Sequence, residues 1–282
     1  MPPAKDQIKQ FYSAALQRCL DDFAKLDDRE WGRKVSDWTA KEHLASLAAT
    51  NEAETLTLTK QAIAGQPASV PGFEKHSEMV PFRAECMKKL RDLSVPELLE
   101  RLKTEVGEHI AMLDSVSEAD LDKPAMSPTW DRGGTLRDLF IANYLFLASQ
   151  YQEIRKASKR KLPHWIEASP PDMVNYHMGR IFHYMPLVFN SDKGADTTAT
   201  YQFTMEGAGG GQWSIAIAGG RANSSDGAVD PYDCEIKTKP ELWIDLTTGE
   251  LNAPMAIMTR KVKIGGNAGL AMKLNDLFSA EG

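Results

Sequence analysis

The chain has 282 residues, of which 42% are hydrophobic and 26% charged, and its net charge at neutral pH is -6. That length suits two domains of ordinary size, and the composition is globular, which excludes a disordered or fibrous chain. The acidic balance argues against nucleic acid as a main partner, because phosphate binding needs a basic face. The three cysteines, Cys19, Cys86 and Cys234, are widely spaced and form no C-x-x-C pair. Neither a disulfide framework nor a zinc knuckle is expected, and free thiols fit a reducing, cytoplasmic setting. The stretch MPPAKDQIKQFYSAAL lacks the apolar core of a signal peptide. No run approaches the roughly 18 apolar residues of a membrane span, so no integral membrane segment is expected.

Taken in order, Ile8, Phe11, Tyr12, Ala15, Leu16 and Cys19 recur at helical spacing, and Leu20, Phe23 and Leu26 continue it. Asp37-Trp38-Thr39 precedes a second, long helix that runs through Ala64 and stops at Gly65. The segment 66–75, with Pro67, Pro71 and Gly72, reads as a long, mobile connection. Ser94-Val95-Pro96-Glu97 combines a cap, a first-turn proline and an acidic first turn, opening a third helix to about Leu113. Gly133-Gly134-Thr135 opens a fourth, from Leu136 to about Ser158. Four long helices over residues 1–160 predict an antiparallel four-helix bundle. The basic run 155–161 reads as cations on a helix C-terminus.

Residues 161–172 hold three prolines and read as a linker to a second domain, 173–282. There the period changes. Val174 to Val188 is helical. Thr200 to Met205 and Gln212 to Ala218 alternate on either side of a glycine run, Gly207 to Gly211, which predicts a hairpin. A strand near 220–223 and another over 233–238 follow. Short helices are expected at 240–246 and 253–258, a strand at 261–264 and a closing helix at 270–278. The last part is rich in apolar residues and methionine: Leu251, Met255, Ile257, Met258, Val262, Ile264, Leu270, Met272, Leu274, Leu277 and Phe278. It contains no polar catalytic cluster, and it suits a small sheet and helices around a greasy pocket.

This second domain resembles the sterol carrier protein type two family. The resemblance rests on Met185-Pro186-Leu187-Val188-Phe189-Asn190, Trp213-Ser214-Ile215, Asp233-Cys234-Glu235-Ile236, Leu246-Thr247-Thr248-Gly249-Glu250-Leu251, Lys261-Val262-Lys263-Ile264-Gly265-Gly266 and Gly269-Leu270-Ala271-Met272-Lys273-Leu274. It implies a five-stranded sheet with helices around a hydrophobic tunnel, lipid, fatty acyl or sterol-like ligands, and no chemistry of its own. The first 160 residues resemble the DinB-like four-helix bundles, which include the front part of the mycothiol-dependent maleylpyruvate isomerase. The carriers are the run from Asp37 to Leu47 (DWTAKEHLASL), Asp120-Leu121-Asp122 and Gly133-Gly134-Thr135-Leu136-Arg137-Asp138-Leu139. The pairing resembles bacterial two-domain proteins. The expected fold class is therefore α+β in two domains, a DinB-like bundle followed by a sterol carrier-like domain.

From spacing and the family pattern, the expected ligand-binding residues are Trp213, Trp243, Leu246, Met255, Met258, Arg260, Leu270, Leu274 and Phe278. Arg260 stands where the family usually carries a small residue. It is read either as a pocket-mouth partner for an anionic head group or as a solvated arginine. The DinB-like resemblance implies a divalent metal on three histidines, one on the second helix and two spaced by four on the fourth. His43 occupies the first position, but the others fall on Phe146 and Gln150, neither of them an ordinary ligand. From Leu139 to Ile154 there is no histidine, aspartate or cysteine, and the single carboxylate, Glu153, has Ser149 four residues before it. No metal is expected, and His43 is read as a remnant of a lost triad; His109 on the third helix could approach it, but two nitrogens without a third ligand make a weak site. His177 and His183 are read as surface or interdomain groups, and His164, Trp165, Tyr176 and Tyr184 as a cluster at the boundary.

The reading is a carrier or sensor of a hydrophobic small molecule, without cofactor and leaning away from catalysis. The bundle serves as scaffold, lid or homodimer surface. Burying about ten methylenes would gain about 8 kcal/mol gross, which makes micromolar binding attainable without a charge partner. The rival reading is a thiol-dependent isomerase or transferase that uses both domains.

Overall fold

A computed structural model describes residues 2–159 and 162–278. They divide into two compact units, Pro2–Pro163 and the residues from His164 onward.

In the first unit, α1 (Lys5–Phe23) turns Ile8, Phe11, Tyr12, Ala15, Leu16 and Cys19 inward. A single turn, α2 (Asp28–Trp31), follows. α3 (Ala40–Thr50) opens on a capping box: Thr39 Oγ1 accepts from the Glu42 amide, and the Glu42 carboxylate accepts from the Thr39 amide at 2.7 Å. The helix widens into a π turn over Asn51–Leu56 and resumes as α4 (Thr57–Ile63). The long second helix of the sequence reading is thus one helical run with an altered pitch in its middle. α5 (Met79–Leu90) was not anticipated; it buries Met79, Phe82, Cys86 and Met87 and lies along α3. α6 (Val95–Ser115) begins with the Ser94–Glu97 box and a first-turn Pro96. The two-residue strands β1 (Pro124–Ala125) and β2 (Gly134–Thr135) pair antiparallel, and Thr135 caps α7 (Leu136–Arg155). α1 and α3 each pack on both α6 and α7, which makes the four-helix bundle.

In the second unit, α8 (Pro171–Tyr184) leads through a 3-10 turn into β3 (Ala199–Met205), β4 (Gly211–Ala218), β5 (Arg221–Asp226) and β6 (Cys234–Thr238). Helices α9 (Pro240–Thr247) and α10 (Ala253–Met258), strand β7 (Lys263–Gly266) and helix α11 (Ala268–Phe278) complete it. The sheet has five strands in the order β5-β4-β3-β6-β7. Only the central β3–β6 pair is parallel, because β4, β5 and the segment after β5 intervene between these two strands rather than a tight turn. The β3–β4 turn needs its glycines: Gly209 has φ 72°, and a Cβ there would lie 2.4 Å from the Pro171 carbonyl oxygen. The core is aromatic. The Phe182 ring lies 4.6 Å from Phe203, 5.1 Å from Trp213 and 5.5 Å from Trp243. These offsets suit rings that avoid face-to-face overlap.

Candidate functional site

Beyond this aromatic core, towards β7, lies a cavity of about 230 Å³. β6 and β7 supply Ile236 and Ile264, which are directly paired across the two strands, and Val262 precedes β7. α9 adds Trp243, Leu246 and Thr247, and α10 adds Ala253, Pro254 and Ile257. α11 closes it with Ala271, Met272, Leu274 and Asn275. α11 is fixed by main-chain contacts: Tyr201 Oη donates to the Leu270 carbonyl at 3.1 Å, the Asn190 amide to Leu277 at 2.8 Å and the Asn267 amide to Asp233 at 2.8 Å.

No titratable side chain among the described residues lines this cavity. The Thr247 hydroxyl donates to the Ile244 carbonyl at 3.0 Å and is satisfied within its own helix. Behind β3 and β6, burial pushes the Cys234 thiol up to about 11 and the Tyr201 hydroxyl up to about 12. Both stay protonated at neutral pH, so neither supplies a nucleophile or a base. One polar group is left over: the Trp243 Nε1–H is buried and has no acceptor among the described residues.

Of the nine residues expected to bind ligand, Trp243, Leu246 and Leu274 line this cavity. Trp213 instead stacks on Phe182 in the neighbouring core and is 4% exposed. Leu270 contributes its carbonyl to Tyr201. Phe278 packs its ring 5.5 Å from Phe189. Met255 and Met258 point outward, at 57% and 82% exposure, and Arg260 is exposed in a left-handed turn with φ 59°. The sequence reading passed over Ile236 and Ile264. Their signal was present, since β6 alternates buried and half-buried residues, which puts Cys234, Ile236 and Thr238 on one face.

The bundle contains a second constellation. With the His43 ring proton on Nδ1, that nitrogen donates to Gln150 Oε1 at 3.0 Å, and Nε2 accepts from the Ser36 hydroxyl at 2.8 Å. One helical turn away on α7, the Arg83 guanidinium lies 4.3 Å above the Phe146 ring. Of the two positions that the DinB-like resemblance assigns to metal ligands, Gln150 meets His43 and Phe146 meets Arg83, so the chemistry is unsuitable. Phe146 has no donor atom, both His43 nitrogens are engaged, and a guanidinium cation covers the Phe146 ring. These residues do not fit a divalent metal, and no group of three or more His, Cys, Asp or Glu among the described residues does. His109 has its own partners, Tyr12 Oη at 3.1 Å and Thr59 Oγ1 at 2.9 Å. His177, read as a surface or interdomain group, is buried, and its Nδ1 accepts from Trp165 Nε1 at 3.3 Å. His164 pairs with Asp245 at 3.1 Å and His183 with Asp226 at 3.0 Å. No helix among the described residues is long and apolar enough to cross a membrane.

Comparison with known proteins accords with this geometry. Residues 190–279 match the model of the SCP-2 sterol transfer family. Hydroxysteroid dehydrogenase-like protein 2 of Rattus norvegicus is 34% identical over 85 residues, 29% of this chain and 16% of that protein. Sterol carrier protein 2 of Homo sapiens is 34% identical over 74 residues, 26% of this chain and 14% of that protein. The chain thus spans under a fifth of these relatives. The crystal structure of the mycothiol-dependent maleylpyruvate isomerase superposes with a TM-score of 0.56 at 10% identity, covering 86% of this chain and 88% of that one, a likeness of fold. Residues 190–279 thus carry the match to the SCP-2 sterol transfer family, and they follow a four-helix bundle in the chain.

Proposed function

We propose that the second unit binds a hydrophobic small molecule in the cavity between β6, β7, α9, α10 and α11, as carrier or sensor, and that the bundle serves as its scaffold. The observation that carries this reading is a cavity with largely apolar walls and no titratable lining among the described residues, located inside the segment that matches a sterol transfer family. The ligand class follows from size and chemistry. About 230 Å³ lies below the roughly 300–1,000 Å³ of sites that enclose a drug-sized molecule. A slender acyl chain enclosed over part of its length fits better than a rigid polycyclic body. The buried Trp243 Nε1–H supports a ligand with one hydrogen-bond acceptor, such as an ester or acyl carbonyl, reached by a small shift of the indole.

The thiol-dependent isomerase reading has the fold likeness in its favour, but the donors around His43 give it no metal. Native mass spectrometry of gently purified protein tests the carrier reading. The expected result is a mass increment that organic extraction removes. Bare protein that also shows no saturable uptake of a fluorescent fatty acid would contradict it.

A further inference from the structure

We propose that the bundle holds a second small-molecule site, between the π turn at Asn51–Leu56, α5 and α7, which takes a small α-amino acid: the ligand carboxylate on the Arg83 guanidinium and the ligand ammonium on the Glu54 carboxylate. The site is independent of the cavity in the second unit. Two charged side chains left unpaired at one spot carry the inference. Glu54 is only 9% exposed, yet among the described residues it accepts no hydrogen bond and forms no ion pair. The other buried carboxylates among the described residues are held: Asp22 accepts from Tyr151 Oη at 2.7 Å, and Glu30 from the Lys159 amide at 2.6 Å. A buried charge without a partner is costly, and a bound ligand that supplies the partner removes the cost.

Arg83 is the second orphan. It is half-buried, its Nε–H is enclosed without an acceptor, and no carboxylate pairs with it among the described residues. The Phe146 ring, 4.3 Å from the guanidinium, holds that group in place and makes no hydrogen bond to it. The planar fork is left for a carboxylate, which it matches in two-pronged geometry.

These two charges are neighbours that do not touch. Burial raises the Glu54 carboxyl, and the nearby Arg83 charge pulls the other way without overcoming it. Both charges also reach the Cys86 thiol, which places the π turn and α5 at one locus. The π turn aims Glu54. Asn51, Glu52 and Thr55 of the same turn are tied to Leu47, Arg101 and Asn143, whereas Glu54 is left unengaged. Such a widened turn inside a helix recurs at functional sites.

The chemistry of the pair selects the occupant. A guanidinium calls for a carboxylate, and a carboxylate calls for a donor. A simple carboxylic acid would leave Glu54 unpaired, and a simple amine would leave Arg83 unpaired. A zwitterion satisfies both and leaves the locus neutral. An α-amino acid carries its two groups one carbon apart, which suits charges held close but out of contact.

The test is a ligand-observed NMR titration of the full chain with L-alanine, L-lactate and propionate. These share a carboxylate and differ in carrying an ammonium, a hydroxyl or no donor. Expected is saturable binding, tightest for L-alanine and at least about tenfold weaker for propionate. R83Q should weaken all three ligands, and E54Q should remove most of the preference for L-alanine while leaving propionate unchanged. Thermal unfolding separates this role from a structural one. Glu54 has no partner to lose, so E54L should raise the unfolding midpoint. Fatty-acid uptake, the readout of the carrier reading, should be unchanged in R83Q and E54Q, so the two claims fail separately. No saturable binding of L-alanine by the folded wild type, a preference for L-alanine that survives E54Q, or a lower midpoint for E54L would each overturn the site.

Discussion

His109 illustrates how one buried side chain sets a pH limit on the bundle. Its ring stacks 4.5 Å from Phe140, and its nitrogens are held by Tyr12 and Thr59. Burial lowers its pKa from 6.5 to about 3. Below 6.5 the unfolded chain takes a proton that the native imidazole refuses. Its contribution to stability is complete above that pH and is lost as pH falls towards 3, by about 1.4 kcal/mol per pH unit. From pH 7 to pH 5 His109 contributes a loss of about 2 kcal/mol; burial lowers His183 and adds to that loss, while burial raises Glu54 and opposes it, so the His109 share is read from the difference between wild type and variant. Denaturant unfolding at both pH values should show that loss in the wild type and much less of it in His109→Gln. An unchanged pH dependence in the variant would contradict the assignment. His43 gives a second test at this scale. Dialysed wild type should retain no stoichiometric zinc, whereas F146H/Q150H places two imidazoles four residues apart opposite His43 and should retain it. Zinc held tightly by the wild type, measured by elemental analysis, would refute the donor argument.

At the scale of elements, what could be read in advance was local chemistry. The caps at Thr39, Ser94 and Thr135 lie within four residues of their partners, so the starts of α3, α6 and α7 were legible. α5 was not, because prolines and charges around its start obscured a sparse apolar spacing whose worth comes from packing on α3. Nor was the π turn at Asn51–Leu56. Its buried Asn51 is tied to the Leu47 carbonyl at 2.8 Å and to the Asn143 side chain at 2.6 Å, a partner 92 residues away. α10 shows the limit most plainly. Its sequence, APMAIM, is apolar on every side, so composition cannot say which face meets the cavity; Ala253, Pro254 and Ile257 do, and the two methionines do not. Met258→Lys should therefore leave fatty-acid uptake in buffer unchanged, and a large loss would return Met258 to the site. The turn after α10 yields another expectation. Arg260→Gly removes a left-handed side chain and should stabilise the second unit by about 1 kcal/mol, seen as a higher unfolding midpoint. A lower midpoint would mean that the arginine makes compensating contacts.

Over the whole molecule, chemistry is spread unevenly. The bundle holds the buried hydrogen-bond networks of His43 and His109, while the second unit holds the apolar cavity and keeps its thiol and phenol protonated. That division suits a carrier whose binding energy is apolar transfer, about 0.8 kcal/mol for each methylene enclosed. The account predicts affinity governed by free volume and little affected by neutral pH. Its central claim is that a foreign hydrophobic molecule occupies the space beneath α11, and filling that space tests it most directly. Titration of the full chain with a fluorescent fatty acid should show saturable uptake for the wild type. Leu274→Trp, with its fold verified by circular dichroism, should bind at least about tenfold more weakly, a change of about 1.4 kcal/mol. Equal affinity in the two proteins, or no saturable uptake by a folded wild type, would contradict the account.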